Sequence, residues 1–311
     1  MNPSHPPVAE LPSLARTTAW ADYALVDSGG GRKLERYGRV SVIRPEPQCF
    51  WAPRLGAEVW DAADAVFDPA DEEDAGRWRT SRPVPETWPI AWRDVRLKAR
   101  LTPFRHLGFF PEQAANWDWV DGRVRAMSRK AGHPPHILNL FGYTGAVSLA
   151  AAAAGARVTH VDASKKAVAW ARENATLSGL EDKPVRWICE DARRYVQREV
   201  KRGARYDGII LDPPKYGRGP AGEVWHLFED LPGLMANCAA LLSDNADFLL
   251  VNGYAARISG LSLAHLTAGA LPGRGGAVEW GELALIEEGE AERGIGLSFF
   301  ARWTASDLGT P

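Results

Sequence analysis

The chain has 311 residues, 45% of them hydrophobic, enough for one large α/β domain and a smaller appendage around a buried core. A net charge of −2 gives no global sign of a nucleic-acid binder. No apolar run is long enough to span a bilayer, and the opening MNPSHPPVAELPSLAR lacks the regions of a signal peptide, so a cytoplasmic protein with no membrane association is expected. Cys49, Cys189 and Cys238 form no CxxC pair and have no histidines at ligand spacing, which predicts neither disulfides nor a metal site.

In chain order, residues 1–19 are Pro-rich and read as a mobile arm or a strap over the fold. Residues 20–105 show short apolar stretches (YALVD, RVSVI, VRLKARL) broken by a GGGR turn and Pro-containing loops, the pattern of a small β-rich accessory domain. Trp51, Trp60, Trp78, Trp88 and Trp92 are expected in its core, with a base-stacking surface as the alternative. From residue 106 to 311 strands and helices alternate. The strands are HILNLF, ARVTHV, VRWIC, YDGIIL and ADFLLVN, and the helices include GAVSLAAAAA, SKKAVAWARENATL, RRYVQREVKR and the stretch Val224 to Leu242. Such βαβ repetition predicts a parallel sheet covered on both faces. AVEWGELALI and IGLSFFARW, joined by EEGEAERG, then read as an antiparallel hairpin. A mostly parallel, Rossmann-like α/β sheet ending in such a hairpin is the layout of class I methyltransferases. Basic residues cluster at Arg193, Arg194, Arg198, Lys201, Arg202 and Arg205 and again between Arg96 and His106; the first run is expected to be a solvated helix face.

In open α/β sheets, ligands lie beyond the C-terminal ends of the strands. The first strand ends in Asn139, Leu140, Phe141, Gly142, Tyr143, Thr144 and Gly145, where glycines let backbone approach a ligand and the next helix offers free N–H groups. Asp162, followed by Ala163, ends the second strand and suits a ribose diol. Asp191, followed by Ala192, ends the third and can accept from an adenine amino group. Helix N-capping is the ordinary alternative for either aspartate. The fourth strand ends in Asp212-Pro213-Pro214-Lys215-Tyr216. Its two prolines make a rigid, donor-free turn, so that carbonyls and the Asp212 carboxylate face the pocket and can hold a nucleophilic nitrogen in line with a methyl sulfonium. Methyl transfer of this kind depends mainly on positioning. Tyr216 is a candidate to stack on a planar substrate, beside Lys215.

ILNLFGYTG, Asp162, the Glu190-Asp191 pair and DPPKY together resemble the motifs of the bacterial S-adenosylmethionine (SAM)-dependent methyltransferases of 23S ribosomal RNA, the cytosine-C5 and guanine-N7 enzymes. HLGFFPEQ, residues 106–113, resembles the family's short element before the catalytic sheet, and implies that Phe110 and Gln113 close over the cofactor. The resemblance covers residues 106–303 and implies SAM as cofactor, S-adenosylhomocysteine as product and ribosomal RNA as partner. Two departures stand out. The PUA RNA-binding domain of the cytosine enzymes has no clear match, and Lys215 stands where amino-methyltransferases of the family place an aromatic. A protein or small-molecule acceptor, a non-catalytic RNA-binding factor and an NAD-dependent dehydrogenase are the competing readings; the last lacks its G-x-G-x-x-G loop. Carbon-5 methylation of cytosine needs a cysteine thiolate, and the stretch after the fifth strand, Val251-Asn252-Gly253-Tyr254-Ala255, has none, so transfer to a base nitrogen is expected. All three cysteines are expected to be small buried residues.

Overall fold

The computed structural model describes residues 4–70, 75–254, 258–289 and 293–305. The segment expected to be an arm or strap contains a strand, β1 (Ser13–Thr17). Five strands then form a sheet in chain order: β2 (Tyr23–Gly29), β3 (Arg32–Tyr37), β4 (Val40–Pro45), β5 (Ala65–Pro69) and β6 (Gly76–Thr80). The β2–β3 turn is Gly30-Gly31 at φ 58° and 74°, the double left-handed turn that matches hairpin twist and that glycine adopts without strain. A short helix, α1 (Ala57–Asp61), lies in the connection between the parallel strands β4 and β5. Next comes a hairpin of β7 (Trp88–Trp92) and β8 (Val95–Ala99), whose alternating residues Trp88, Ile90, Trp92, Val95, Leu97 and Ala99 are all buried. The expected tryptophan core is present for Trp60, Trp88 and Trp92; Trp51 and Trp78 are half-buried and pack at its edge.

A 3-10 turn (Pro111–Gln113) leads into α2 (Ala114–Ala131), which stops at Gly132 in the left-handed conformation. The remaining elements are β9 (His136–Leu140), α3 (Ala146–Ala153), β10 (Arg157–Asp162), α4 (Lys165–Leu177), β11 (Val185–Cys189), α5 (Ala192–Lys201), β12 (Gly208–Leu211), β13 (Tyr216–Arg218), β14 (Val224–His226), α6 (Leu227–Leu241), β15 (Phe248–Tyr254), α7 (Gly260–Gly269), β16 (Ala277–Ile286) and β17 (Gly294–Thr304). Eight strands form one sheet in the order β1-β16-β17-β15-β12-β9-β10-β11, parallel except for β17, which runs antiparallel to both neighbours. The five expected strands and the closing hairpin are thus present. β12 and β15 are buried almost throughout, because helices cover both faces.

Two local expectations need correction. Val224 to His226 do not begin a helix; this β-branched and aromatic triplet pairs with Tyr216–Arg218 as β13–β14, and α6 starts at Leu227. The arm contributes β1, which pairs in parallel with β16 from Ser13 opposite Gly281 to Thr17 opposite Leu285. One hydrophobic core joins the two sheets: Tyr23, Tyr37, Val42, Ile90 and Leu97 pack together with Leu149, Ala150, Ala175, Leu285 and Ile295. Among the described residues no helix is long and apolar enough to cross a membrane.

Candidate active site

The order of the large sheet reverses between β9 and β12, and the crevice that such a reversal opens beyond the strand ends is a cleft of about 340 Å³. After β9 the chain turns through Phe141 at φ 56° and Tyr143 at φ 49°, conformations that non-glycine residues rarely adopt and that cluster at functional sites. Gly142 between them admits no side chain, since a Cβ there would stand 2.5 Å from the His160 ring. Gly145 at φ 86° then starts α3 with no side-chain cap.

Asp162 at the end of β10 accepts from the Tyr143 N–H at 2.9 Å and the Ser164 N–H at 2.8 Å. The cap of α4 is Ser164, bonded to the Ala167 N–H at 3.2 Å, so capping does not explain Asp162. Burial pushes its carboxyl upward, and the two N–H donors oppose that push. Asp191 differs. It caps α5 through the Arg194 N–H at 3.1 Å and pairs with Arg193 at 3.3 Å while also lining the cleft. Glu190 meets Arg198 through two contacts of 2.6 Å. Arg193 also binds Asp230 at 2.6 Å, Arg194 binds Glu223, and Arg202 binds Glu199 at 3.1 Å. Four residues of the basic run are therefore paired along α5, in keeping with the solvated helix face expected of it.

Asp212 lies at the floor of the cleft, half-buried, with its carboxyl raised to about 7 by burial and by Glu112, against a hydrogen bond from Asn252. Gln113 Nε2 stands 3.4 Å from its Oδ2. Pro213 and Pro214 line the cleft, but the Pro214 carbonyl accepts from Trp225 Nε1 at 2.7 Å and the Lys215 carbonyl from the Leu227 N–H at 3.1 Å. Neither carbonyl is a free acceptor. Lys215 and Tyr216 lie outside the cleft: Tyr216 is 48% exposed, packs edge-on against His226 and accepts from Arg218 Nε at 3.2 Å. Gly217, Arg218, Gly219 and Trp225, brought in by the β13–β14 hairpin, take the wall in their place.

The opposite wall is the segment 106–113. Thr144 Oγ1 donates to the Gly108 carbonyl at 2.6 Å, and Gly108, at φ 109°, lies so close to Trp170 that a Cβ would come within 2.3 Å of its ring. Arg44, paired with Glu35 at 2.7 Å, donates to the Arg105 carbonyl at 3.0 Å, so the five-stranded sheet holds the segment from behind. Burial, with Arg44, Arg105 and Arg100 nearby, lowers His106 to about 4; the neutral ring lies 3.4 Å from the Tyr143 hydroxyl. Phe110 sits between Tyr143 and Tyr254, with ring centroids 5.9 and 5.7 Å away.

A smaller chamber of about 60 Å³ adjoins the cleft, lined by Asn139, Gly142, Thr144 and the first turn of α3 and sharing Phe110, Gln113, Phe141, Tyr143 and Asp212 with it. Asn139 donates to Ser148 at 2.8 Å, while its Oδ1 is buried without a partner among the described residues. A lone acceptor beside helix N–H groups offers complementary contacts to an ammonium and a carboxylate, the two charges of an amino-acid group. Gly145 lines neither space and acts through the turn. Residues 251–254, expected to follow the fifth strand, are instead its last residues, and β15 itself carries Asn252 and Tyr254 to the site; Ala255 lies outside the described residues. Sequence reasoning also missed Trp225, Arg218 and Asn116. Of the cysteines, Cys49 and Cys238 are buried as expected, but Cys189 is exposed because β11 is the sheet edge.

Fold and cleft together define a class I SAM-dependent methyltransferase. The chain belongs to the S-adenosylmethionine-dependent methyltransferase family, whose model matches residues 57–254. A SAM-dependent methyltransferase from Agrobacterium tumefaciens, known from its crystal structure, is 45% identical, with 97% of this chain and 96% of that one covered and a TM-score of 0.92. A structure designated SMU.776, complexed with S-adenosylhomocysteine, shares the fold at 17% identity, with 91% and 76% covered and a TM-score of 0.67. Ribosomal RNA large subunit methyltransferase K/L of Shewanella baltica is 34% identical over 161 residues, 51% of this chain and 21% of that protein. The chain thus spans about a fifth of the length of the curated relatives it matches.

Proposed function

We propose that this methyltransferase acts on a nitrogen of a base in ribosomal RNA. The observation that carries the reading is the Asp212 carboxylate, set on a donor-free Pro-Pro turn at the floor of a cleft whose other end is lined by the Asp162 and Asp191 carboxylates. The name of the K/L relatives points to ribosomal RNA. SAM supplies an electrophilic methyl group; the protein's part is to hold and orient. Asp162 accepts from the ribose hydroxyls, and Phe141, Ala163, Asp191 and Ala192 bound the adenine. Asn139, Gly142, Tyr143, Thr144 and Gly145 shape the chamber for the amino-acid end, and Phe110 and Gln113 close it from above. Asp212 accepts from the N–H of the incoming base and aims its lone pair, with Pro213 and Pro214 keeping water and competing donors away. Lys215 and Tyr216 meet the RNA outside the cleft, next to Arg218. Residues 20–105 serve as an accessory region that braces segment 106–113, and 106–311 as the catalytic region.

No cysteine lines the cleft or the chamber among the described residues, which favours nitrogen over cytosine carbon 5. The test compares nucleoside masses in ribosomal RNA from strains with and without the gene. One methyl missing at one base is the expected result. Identical masses in the two strains would sink the RNA reading.

A further inference from the structure

Arg302, near the C-terminal end of β17, is 5% exposed, yet its guanidinium is poorly served. It lies over the Phe300 and Trp119 rings at 4.2 and 4.8 Å, its Nε has no partner among the described residues, and Nη1 stands 3.8 Å from Glu279. A buried charge with so few partners is expensive, and burial lowers its pKa to about 10. Among the described residues its one short bond runs from Nη2 to Asn116 Oδ1, at 2.6 Å.

That bond has a directional consequence. Arginine only donates, so the Asn116 oxygen must face it and the Asn116 amino group must face the other way. Asn116 Nδ2 donates to Gln113 Oε1 at 2.8 Å and to Asn252 Oδ1 at 2.9 Å. With their oxygens occupied, Gln113 and Asn252 have only amino groups left. Gln113 Nε2 points to Asp212 at 3.4 Å, and Asn252 donates both to Gln113 Oε1 at 3.3 Å and to Asp212. Three amides that could each be turned around are thus locked in one sense. We infer that Arg302 is a positioning residue, which through Asn116 obliges Gln113 and Asn252 to present donors to Asp212 and so keeps this carboxylate an acceptor toward the cleft.

The charged group that acts on Asp212 besides this relay is Glu112, which itself feels Lys33, Arg44 and Glu35; Arg302 faces Glu279. Asn116→Asp reverses the relay without emptying space. Arg302 keeps a carboxylate partner, but position 116 loses its donors, so Gln113 and Asn252 must turn their amino groups toward it and their oxygens toward Asp212. Arg302→Met breaks the relay at its origin, and Arg302→Lys keeps a donor there.

The inference rests on the proposed role of Asp212, so two readouts are taken. The first is the pH profile of methyl transfer from SAM to ribosomal RNA of a strain lacking the gene. Asn116→Asp and Arg302→Met should lose about fivefold in turnover at pH 7, as their acidic limbs move up by about one pH unit, while Arg302→Lys stays within about threefold of the native protein and all bind S-adenosylhomocysteine within about threefold. The second needs no substrate: the pH above which melting temperature stops falling should move up in Asn116→Asp relative to the native protein. If the native protein methylates no ribosomal RNA, the RNA reading fails and the melting curves alone decide the relay. An unmoved titration in Asn116→Asp, or equal losses in Arg302→Met and Arg302→Lys, overturns it.

Discussion

Replacing Asp212 with Asn removes the charge at the floor of the cleft while keeping an oxygen to accept from Gln113 and Asn252. In the folded protein this carboxyl is raised to about 7, against about 4 in an unfolded chain. The folded form therefore holds a proton that the unfolded form has lost. As pH rises from about 4 the native protein loses stability, and the loss is complete once pH passes about 7. Over that interval, at about 1.4 kcal/mol per pH unit, the ionised carboxylate costs up to about 4 kcal/mol, all of which Asp212→Asn recovers. For a chain of this size that is a rise in melting temperature of up to about 6 °C at pH 8, shrinking to roughly a third at pH 5. Differential scanning calorimetry of the two proteins without cofactor, at both pH values, measures the gap. The same variant should lose most of its turnover, because destabilisation of this kind is tolerated where function needs the charge. A variant no more stable than the native protein at pH 8, or a gap that does not narrow toward pH 5, would refute the argument.

Asp162→Ala should weaken S-adenosylhomocysteine binding by about 1.5–3 kcal/mol for each charge-assisted hydrogen bond lost, and isothermal titration that finds unchanged affinity would place the ribose elsewhere. Hydrogen exchange across residues 109–113 should slow on adding S-adenosylhomocysteine, since Thr144 and Arg44 already hold the neighbouring backbone; unaltered exchange removes the segment from the cofactor's surroundings. A triple Cys49→Ser, Cys189→Ser, Cys238→Ser protein that folds should keep most of its turnover, and 5-fluorocytosine RNA should form no covalent complex with the native protein. Trapping such a complex would overturn nitrogen transfer.

Asp162 and Asp212 were legible in the sequence because a strand end is a local signal, and at such an end an acidic residue or a Pro-Pro pair is conspicuous. The relay was not. Asn116 lies within a helix, Asn252 and Arg302 lie within strands, and each looks ordinary until β15, β17 and α2 come together. The position of Tyr216 outside the cleft was hidden for a related reason. DPPKY shows the aromatic but not the hairpin that turns it outward, and Trp225, counted in a helix, is the aromatic that reaches the cleft. β1 carried no alternating pattern of its own; its place depends on β16, where Ser13 finds its partner Gly281 far along the chain.

That pairing bears on how the protein is made. During synthesis, residues 13–17 emerge long before the strand they join, and β16 itself needs β17 to connect it to the sheet. The outermost pairing of the large sheet, β1 with β16, thus has an extreme sequence separation, and its loop-closure entropy must be met before it gives anything back. A nascent chain that has completed β9 to β12 holds an unfinished sheet with an open edge at β12, which is a template for pairing with a neighbouring chain. Assembly of this fold in the cell is expected to depend on concentration and on chaperones more than its final stability would suggest.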